Sequence, residues 1–465
     1  MSHNPYWAIA TGRAEQEADG FEELRDLVER GSVTTVLLAV PDMQGRLKGK
    51  RFSAGHFIDH VATGGADMCA YVLATDVDMR PLDGFALASF DTGYGDMSLL
   101  PDPGAVHQLA WMPRTALVFA EAIGHDGQPV AVAPRQILWR QLARLASRGI
   151  TAQTGLETEF VLCREGYADV AETGSIEIEP VDTENRDYSL DYPRVMERFL
   201  QDLEECLAGT GRPVEAIKTE SAPGQVEITF PYGDPMAAAD THLLLKHAAR
   251  TVGGHSNLVP TFMAAPATGV GSGCHIHLSL VHDGVPLFAE TDGRMPDAAR
   301  HVIAGLLDAL PHLGLLYAPT VNSYKRFVSE TFAPANFTWG HDNRTCAVRV
   351  VGRGDNLHLE IRLPGADANP YLALAAVLAA ALYGLDHKLD PPHPCVGNAF
   401  EEGGAPPVPG SLEAALAALH SSPLPASDLL TPAGVEHYTN AARHEIAAHR
   451  RTVTDLDLRR GFATA

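Results

Sequence analysis

Four short segments carry acids and imidazoles at spacings that could hold a metal. In TGLETEFVL, Glu157 and Glu159 flank Thr158, so both carboxylates point to one face of a strand. In KTESAPGQVEITF, Glu220 and Glu227 bracket a Pro223-Gly224 turn. In GVGSGCHIHLSL, Cys274, Ile276, Leu278 and Leu280 alternate with His275, His277 and Ser279, the period of a strand with one polar face. In LHLEIRL, Glu360 and Arg362 share a face opposite Leu359, Ile361 and Leu363. A carboxylate buried on a strand is costly unless it is paired or metal-bound. A salt bridge explains any one of these acids equally well; four segments with the same inward polar face point to a shared cavity. Oxygen ligands with an imidazole and no thiolate suit Mg²⁺ or Mn²⁺ better than structural zinc.

Arginines accompany them: Arg326 in NSYKRF, Arg344 and Arg349 in DNRTCAVRV, and Arg362. Divalent metals beside several guanidiniums can handle phosphate and carboxylate together. The glycines before the histidine strand are not a nucleotide fingerprint, which needs a glycine at the sixth position and a helix after it; here Cys274 and a strand follow. No Gly-x-x-x-x-Gly-Lys loop is present, which excludes a P-loop phosphotransferase.

The elements that must position these residues are legible in outline. Residues 33–123 read as short strands and turns, and the turn near Asp126 marks a domain boundary, dividing 1–126 from 127–465. Pro134 then opens an amphipathic helix with Ile137, Leu138, Leu142 and Leu145 on one side. Beyond it strands and helices alternate, giving an α+β chain. The apolar run Pro370–Leu385, capped by Asn369, is shorter than the ~20 residues of a membrane helix and reads as a core helix. Val435–Arg460 reads as helical and charged. The formal charge of −23 argues against nucleic acid. Six scattered cysteines without a CxxC pair predict reduced thiols in a cytoplasm, and the N-terminal twenty residues lack a signal-peptide pattern.

GLETEF, ESAPGQVEI, GSGCHIHLSL, NSYKRF, NRTCAVRV and LEIRLPGADANPYL resemble, in order, the motifs of the glutamine synthetase superfamily, from about Thr34 onward. The GADANPYL and WGHDNRT wording is most similar to its γ-glutamylamine ligase branch. The resemblance implies a small N-terminal β-grasp domain, a larger catalytic domain with a curved antiparallel sheet flanked by helices, and a dodecamer of two hexameric rings. It implies ATP and two to three Mg²⁺ or Mn²⁺ ions per site, with Glu159, Glu220 and Glu227 on one ion and Glu157, His275 and Glu360 on another. Arg326 and Arg362 would grip glutamate, with Gly271 and His275 beside it, and Arg344 and Arg349 would balance the transferred phosphoryl group. Glu215, Tyr232, His277 and Ser279 would line the nucleotide site, where His358 replaces an arginine common in the family. The implied reaction activates the γ-carboxylate of L-glutamate as γ-glutamyl phosphate, which a free amine then attacks.

The departures from that pattern concern the amine. Phe332 stands where glutamine synthetases carry a flap glutamate, with Glu330 two residues earlier. Val270 replaces an asparagine, and the Asp-Gly-Ser-Ser loop that a neighbouring subunit contributes for ammonium is absent from GGADMCAYVLATDVDM, where Asp76 or Asp78 of the neighbour could instead meet a long amine. Ammonium loses several kcal/mol of hydration in an apolar pocket, whereas an alkyl chain gains roughly 0.8 kcal/mol per buried methylene. The expected acceptor is therefore a primary alkyl amine, a small one such as ethanolamine ahead of putrescine or polyamines. The competing expectations are an authentic glutamine synthetase using ammonium and an inactive regulatory homologue. Phe400 replaces the tyrosine that is adenylylated in bacterial relatives, so that modification is not expected here.

Overall fold

A computed structural model describes residues 20–164 and 179–462; the segment read for a signal peptide and the side chain of Glu330 lie outside the described residues. Two sheets organise the chain. The first has the order β2-β1-β5-β4-β3, built from β1 (Thr35–Pro41), β2 (Leu47–Ser53), β3 (Ala66–Cys69), β4 (Asp96–Gln108) and β5 (Thr115–Ile123). β1 runs parallel to β5 at its centre, while the outer pairings are antiparallel. The β1–β2 hairpin closes through Asp42, whose Oδ1 accepts from the amides of Gln44 (3.0 Å) and Arg46 (2.8 Å). Helix α1 (Gly20–Glu29) packs on β4.

The second sheet has ten strands, seven of them on the path β13-β14-β15-β11-β6-β9-β8. Its spine is β6 (Ile150–Arg164), flanked by β9 (Gln225–Thr229) and β11 (Cys274–His282). β7 (Glu179–Pro180), β10 (Leu258–Thr261) and β12 (Val285–Pro286) are short additions. β8 (Ala216–Thr219) forms a hairpin with β9, and β15 (His358–Ile361) joins β11 to β14 (Val348–Val351). All described pairings here are antiparallel except that of β14 with β13 (Trp339–His341).

Helices α2 (Pro134–Ala146), α3 (Arg194–Gly209), α4 (Pro235–His255), α5 (Asp297–Ala309) and α6 (Pro370–His387) carry the core beside the sheets. As expected, α6 is a core helix: Asn369 caps it by accepting from the Tyr371 amide (3.1 Å), and its side chains are buried. It packs on α5, α2 and α4. Gly305 and Gly384 make the α5 contact possible, since a Cβ on Gly384 would lie 2.0 Å from the His301 carbonyl oxygen. The C-terminal segment is helical, as expected, and is built in two pieces. α7 (Pro432–Arg451) ends at Thr452, and Thr454 starts α8 (Asp455–Gly461) with a capping box to Asp457, so a local hydrogen-bond pair resets the chain direction. All six cysteines are free thiols.

One buried charge cluster locks the first sheet to the helices. Arg135, the second residue of α2, donates to Glu121 Oε1 on β5 (2.8 Å), to Asp102 Oδ2 on β4 (2.7 Å) and to Asp240 on α4. Tyr371 of α6 also donates to Asp240. Three acids around one guanidinium leave no buried charge without a partner.

Candidate active site

Strand register assembles the site. On one face of the second sheet, Glu227 of β9 lies opposite Glu159 of β6, and Glu157 of β6 lies opposite His275 of β11. His277 of β11 lies opposite Glu360 of β15, which in turn lies opposite Arg349 of β14. Directly opposed residues on a sheet approach to about 5 Å between Cβ atoms, so these pairings form a continuous polar band. Glu220 joins it from the β8–β9 turn, where its amide donates to the Gln225 carbonyl (3.0 Å).

The band floors a cleft of about 530 Å³ lined by Glu157, Glu159, Glu220, Glu227, His275 and Glu360, the six expected metal ligands. Arg326, Arg344, Arg349 and Arg362 line the same cleft, as do Gly271 and Phe332. Ligand atoms of Glu159, Glu220 and Glu227 lie within 4.8 Å of one another, as do those of Glu157, Glu227 and His275 and those of Glu157, His277 and Glu360. His277 therefore reaches the carboxylates as well as His275 does: its Nε2 stands 2.9 Å from Glu157 Oε1, while His275 Nδ1 is 3.5 Å from both Glu157 Oε2 and Glu360 Oε1.

The electrostatics fit divalent cations. Burial and the charges of Glu157 and Glu159 push the Glu227 carboxyl up to about 9, and burial and Glu159 raise Glu220. These acids are crowded beyond what the protein's own cations compensate. Burial keeps His275 below its ordinary value, which leaves a neutral imidazole, and its buried Nδ1 has no hydrogen-bond partner. Glu157 is held low by His275 and His277 against the opposing effect of burial. Burial likewise opposes ionisation of Glu360, yet Arg362 and the two imidazoles hold it down to about 2. Glu360 accepts from Arg349 Nη1 (2.8 Å) and from Arg362. An acid-rich donor set with an orphaned neutral imidazole matches Mg²⁺ or Mn²⁺.

Arg326 is fully buried, and that burial lowers it to about 10. Its Nη1 donates to the Leu363 carbonyl (2.9 Å) and its Nη2 to that of Arg362 (3.2 Å), so backbone fixes the fork. The glycines before β11 exist for this arginine. A Cβ on Gly273 would sit 2.8 Å from Arg326 Nη2 and 2.7 Å from His275 Nε2, and one on Gly271 would sit 2.8 Å from Thr331 Cβ. They clear space for side chains, not for a phosphate.

The remaining expected residues fall outside the cleft wall. Tyr232 is exposed beside Gly155, on the same side as His277: a Cβ on Gly155 would lie 3.7 Å from Tyr232 Cβ and 3.8 Å from His277 Cβ. His358 packs against His277 with ring centroids 5.1 Å apart. Ser279 lies two residues beyond His277 on the same strand, opposite Gln153, and Glu215 is exposed beside Thr229 on β9. Of these residues, His358 and Tyr232 lie beside His277, whereas Glu215 lies beyond β9 on the other flank of β6. Val270 does not line the cleft: a turn closed by its amide on the Ala267 carbonyl (3.1 Å) ends before the wall begins at Gly271. Asp76 and Asp78, expected to reach the site of a neighbouring subunit, sit in a turn gripped by Arg46, whose Nη2 donates to the Asp76 carbonyl (3.3 Å), away from this chain's own cleft.

Sequence patterning missed four contributors. Gln225 orients Glu159 (Nε2 to Oε2, 3.1 Å) and binds the Gly271 carbonyl (2.8 Å). Lys218 pairs with Glu220. Both precede an acid by two residues, the same-face spacing of a strand, and that signal was available. Asp187 and Tyr188, in the loop before α3, also line the cleft, and nothing in their spacing announced it.

Residues 131–461 match the family model described as glutamine synthetase, catalytic domain. The chain is 46% identical over 444 residues to gamma-glutamylethanolamide synthetase of Streptomyces coelicolor, covering 95% of this chain and 96% of that one. It is 31% identical over 445 residues to glutamate–isopropylamine ligase of a Pseudomonas species, covering 94% and 97%. It is 31% identical over 459 residues to glutamate–methylamine ligase of Methyloversatilis universalis, covering 94% and 98%. Among solved structures, a GmaS–ADP complex superposes with a TM-score of 0.82 at 29% identity, covering 94% of this chain and 99% of that one.

Proposed function

We propose that this chain, which belongs to the glutamine synthetase family, is an ATP-dependent ligase that joins the γ-carboxylate of L-glutamate to a primary alkyl amine, with a small monoamine such as ethanolamine preferred. Glu159, Glu220 and Glu227 would hold one divalent ion and Glu157, His275 and Glu360 a second, with His277 in reach of the latter. When bound, these ions neutralise the phosphate charges of ATP. Arg326 and Arg362 bind and orient the carboxylates of glutamate. The γ-carboxylate oxygen attacks the terminal phosphorus, the bond to ADP breaks, and Arg344 and Arg349 balance the charge of the transferred group. A free amine then attacks the acyl carbon, inorganic phosphate leaves, and the amide forms after loss of the amine proton. Tyr232, His277, Ser279 and Glu215 serve the nucleotide.

The observation that carries this reading is the convergence of five carboxylates, His275 and four arginines in one cleft whose rim is Phe332. An exposed phenyl ring offers an alkyl chain a surface to cover and offers ammonium no counter-charge. The similarity to ligases named for ethanolamine, isopropylamine and methylamine supports the same choice. Family membership also supports a dodecamer of 49.7 kDa chains, which a solution mass measurement tests. The decisive assay is glutamate- and ATP-dependent phosphate release with ammonium, ethanolamine, putrescine, cadaverine and spermine. Ethanolamine is expected to give the highest kcat/KM, and ammonium matching every amine would overturn the proposal.

A further inference from the structure

Lys218 occupies an unexpected place. Its ammonium is ion-paired with Glu220 and stands 3.9 Å from Glu227 Oε1, so it sits on two of the three carboxylates in the Glu159–Glu220–Glu227 cluster. Its other side is covered by the ring of Tyr188, 4.5 Å from the ammonium to the centroid. Tyr188 belongs to the loop whose residues Asp187–Leu190 line the cleft, and its backbone is left-handed (φ 55°). A lysine ammonium and a divalent cation carry like charges and would compete for the same oxygens, because at ~4 Å their repulsion is several kcal/mol even with strong screening. Both cannot hold Glu220 and Glu227 together.

We propose that Lys218 is a tethered competitor for the metal: it pairs with Glu220 and faces Glu227 in the ion-free enzyme and is expelled when the divalent ion takes those carboxylates. Expulsion moves the ammonium out of its slot beneath Tyr188, so ion occupancy is transmitted to the Asp187–Leu190 loop at the cleft mouth. The competition keeps this ion exchangeable instead of permanently resident. The inference rests on the reading of Glu159, Glu220 and Glu227 as one ion's ligands.

Two measurements on the full-length protein, neither an activity assay, test it. In Mn²⁺ titrations followed by electron paramagnetic resonance, Lys218→Met should bind the ion of this cluster at least about tenfold more tightly than wild type, and Lys218→Arg within about threefold of it. Glu220→Gln identifies the cluster by lowering affinity for that ion. The second readout separates displacement from a fixed charge effect. The sequence has only six lysines, so acetylation of Lys218 is readily followed by mass spectrometry. Saturating Mn²⁺ should speed its labelling severalfold in wild type, because expulsion frees the ammonium. Equal Mn²⁺ affinity in Lys218→Met, or labelling that slows or stays constant on Mn²⁺ addition, overturns the proposal. Absence of any Glu220-dependent Mn²⁺ binding overturns it together with the metal assignment, whereas a normal metal response with no amine ligation would sink only the proposed function.

Discussion

Replacing Phe332 by asparagine should abolish the enzyme's response to the length of the amine. The perturbation is chosen from the backbone: Phe332 lies in the left-handed region (φ 54°), which asparagine adopts readily and most other side chains do not. Phe332 is 58% exposed in the cleft wall, which leaves it open for a substrate to cover. A fully buried methylene contributes about 0.8 kcal/mol, and one covered on the ring side only contributes roughly half of that. With RT near ~0.6 kcal/mol, those limits correspond to about twofold to fourfold in kcat/KM for each added carbon. Across ammonium, methylamine, ethylamine and propylamine the wild-type enzyme should thus gain between about eightfold and sixtyfold. In Phe332→Asn the same series should be flat to within about 1.5-fold per carbon, since the amide side chain offers little apolar surface. The assay is steady-state phosphate release at saturating glutamate and ATP, with each amine's rate referred to its free-base concentration. A Phe332→Asn enzyme that retains the wild-type slope would show that the acceptor chain contacts some other surface, and the acceptor preference would lose its basis.

Other consequences are as direct. Glu360→Gln removes the one buried anion that Arg349 and Arg362 share, and truncating one partner of a buried charge pair costs 2–5 kcal/mol or more; kcat/KM should fall about 100-fold or more, and a loss under tenfold would contradict the assignment. Arg135→Met strands Asp102, Glu121 and Asp240 in the core, so urea denaturation should report a loss of about 3–5 kcal/mol, with a stability unchanged from wild type refuting the cluster's role. His437 of α7, bonded to the Leu73 carbonyl (2.7 Å), is lowered by burial from 6.5 to about 4. The unfolded chain takes up that proton below 6.5 while the native state resists it, so this contribution is complete above 6.5 and is lost as pH falls toward 4, by up to about 3 kcal/mol. Urea midpoints measured across that range should decline less steeply in His437→Gln; parallel curves would exclude His437 as a source of the pH dependence.

The chemistry was written in the sequence because strand alternation is local. A Glu-x-Glu, a His-x-His and a Glu-x-Arg each commit two side chains to one face wherever the strand ends up, and the Pro-Gly turn commits Glu220 and Glu227 to one hairpin. The core helix Pro370–His387 was equally local, announced by its cap and its continuous apolar run, although its length alone would let it cross a membrane and only its burial among the other helices marks it as core. Register is not local. Only the pairing of β9, β6, β11, β15 and β14 sets Glu227 against Glu159, His275 against Glu157 and Arg349 against Glu360, and a slip of one residue would turn every one of those side chains to the other face. The same limit explains Val270, which sequence position ranked beside Phe332 and which a single turn keeps out of the cleft wall. It explains Tyr188 too, a loop residue without periodicity whose place over Lys218 depends on contacts between segments thirty residues apart. The sequence by itself determined which groups face inward, since that depends on neighbours one and two residues away. Tertiary structure decided which of them meet, since that depends on how distant strands align.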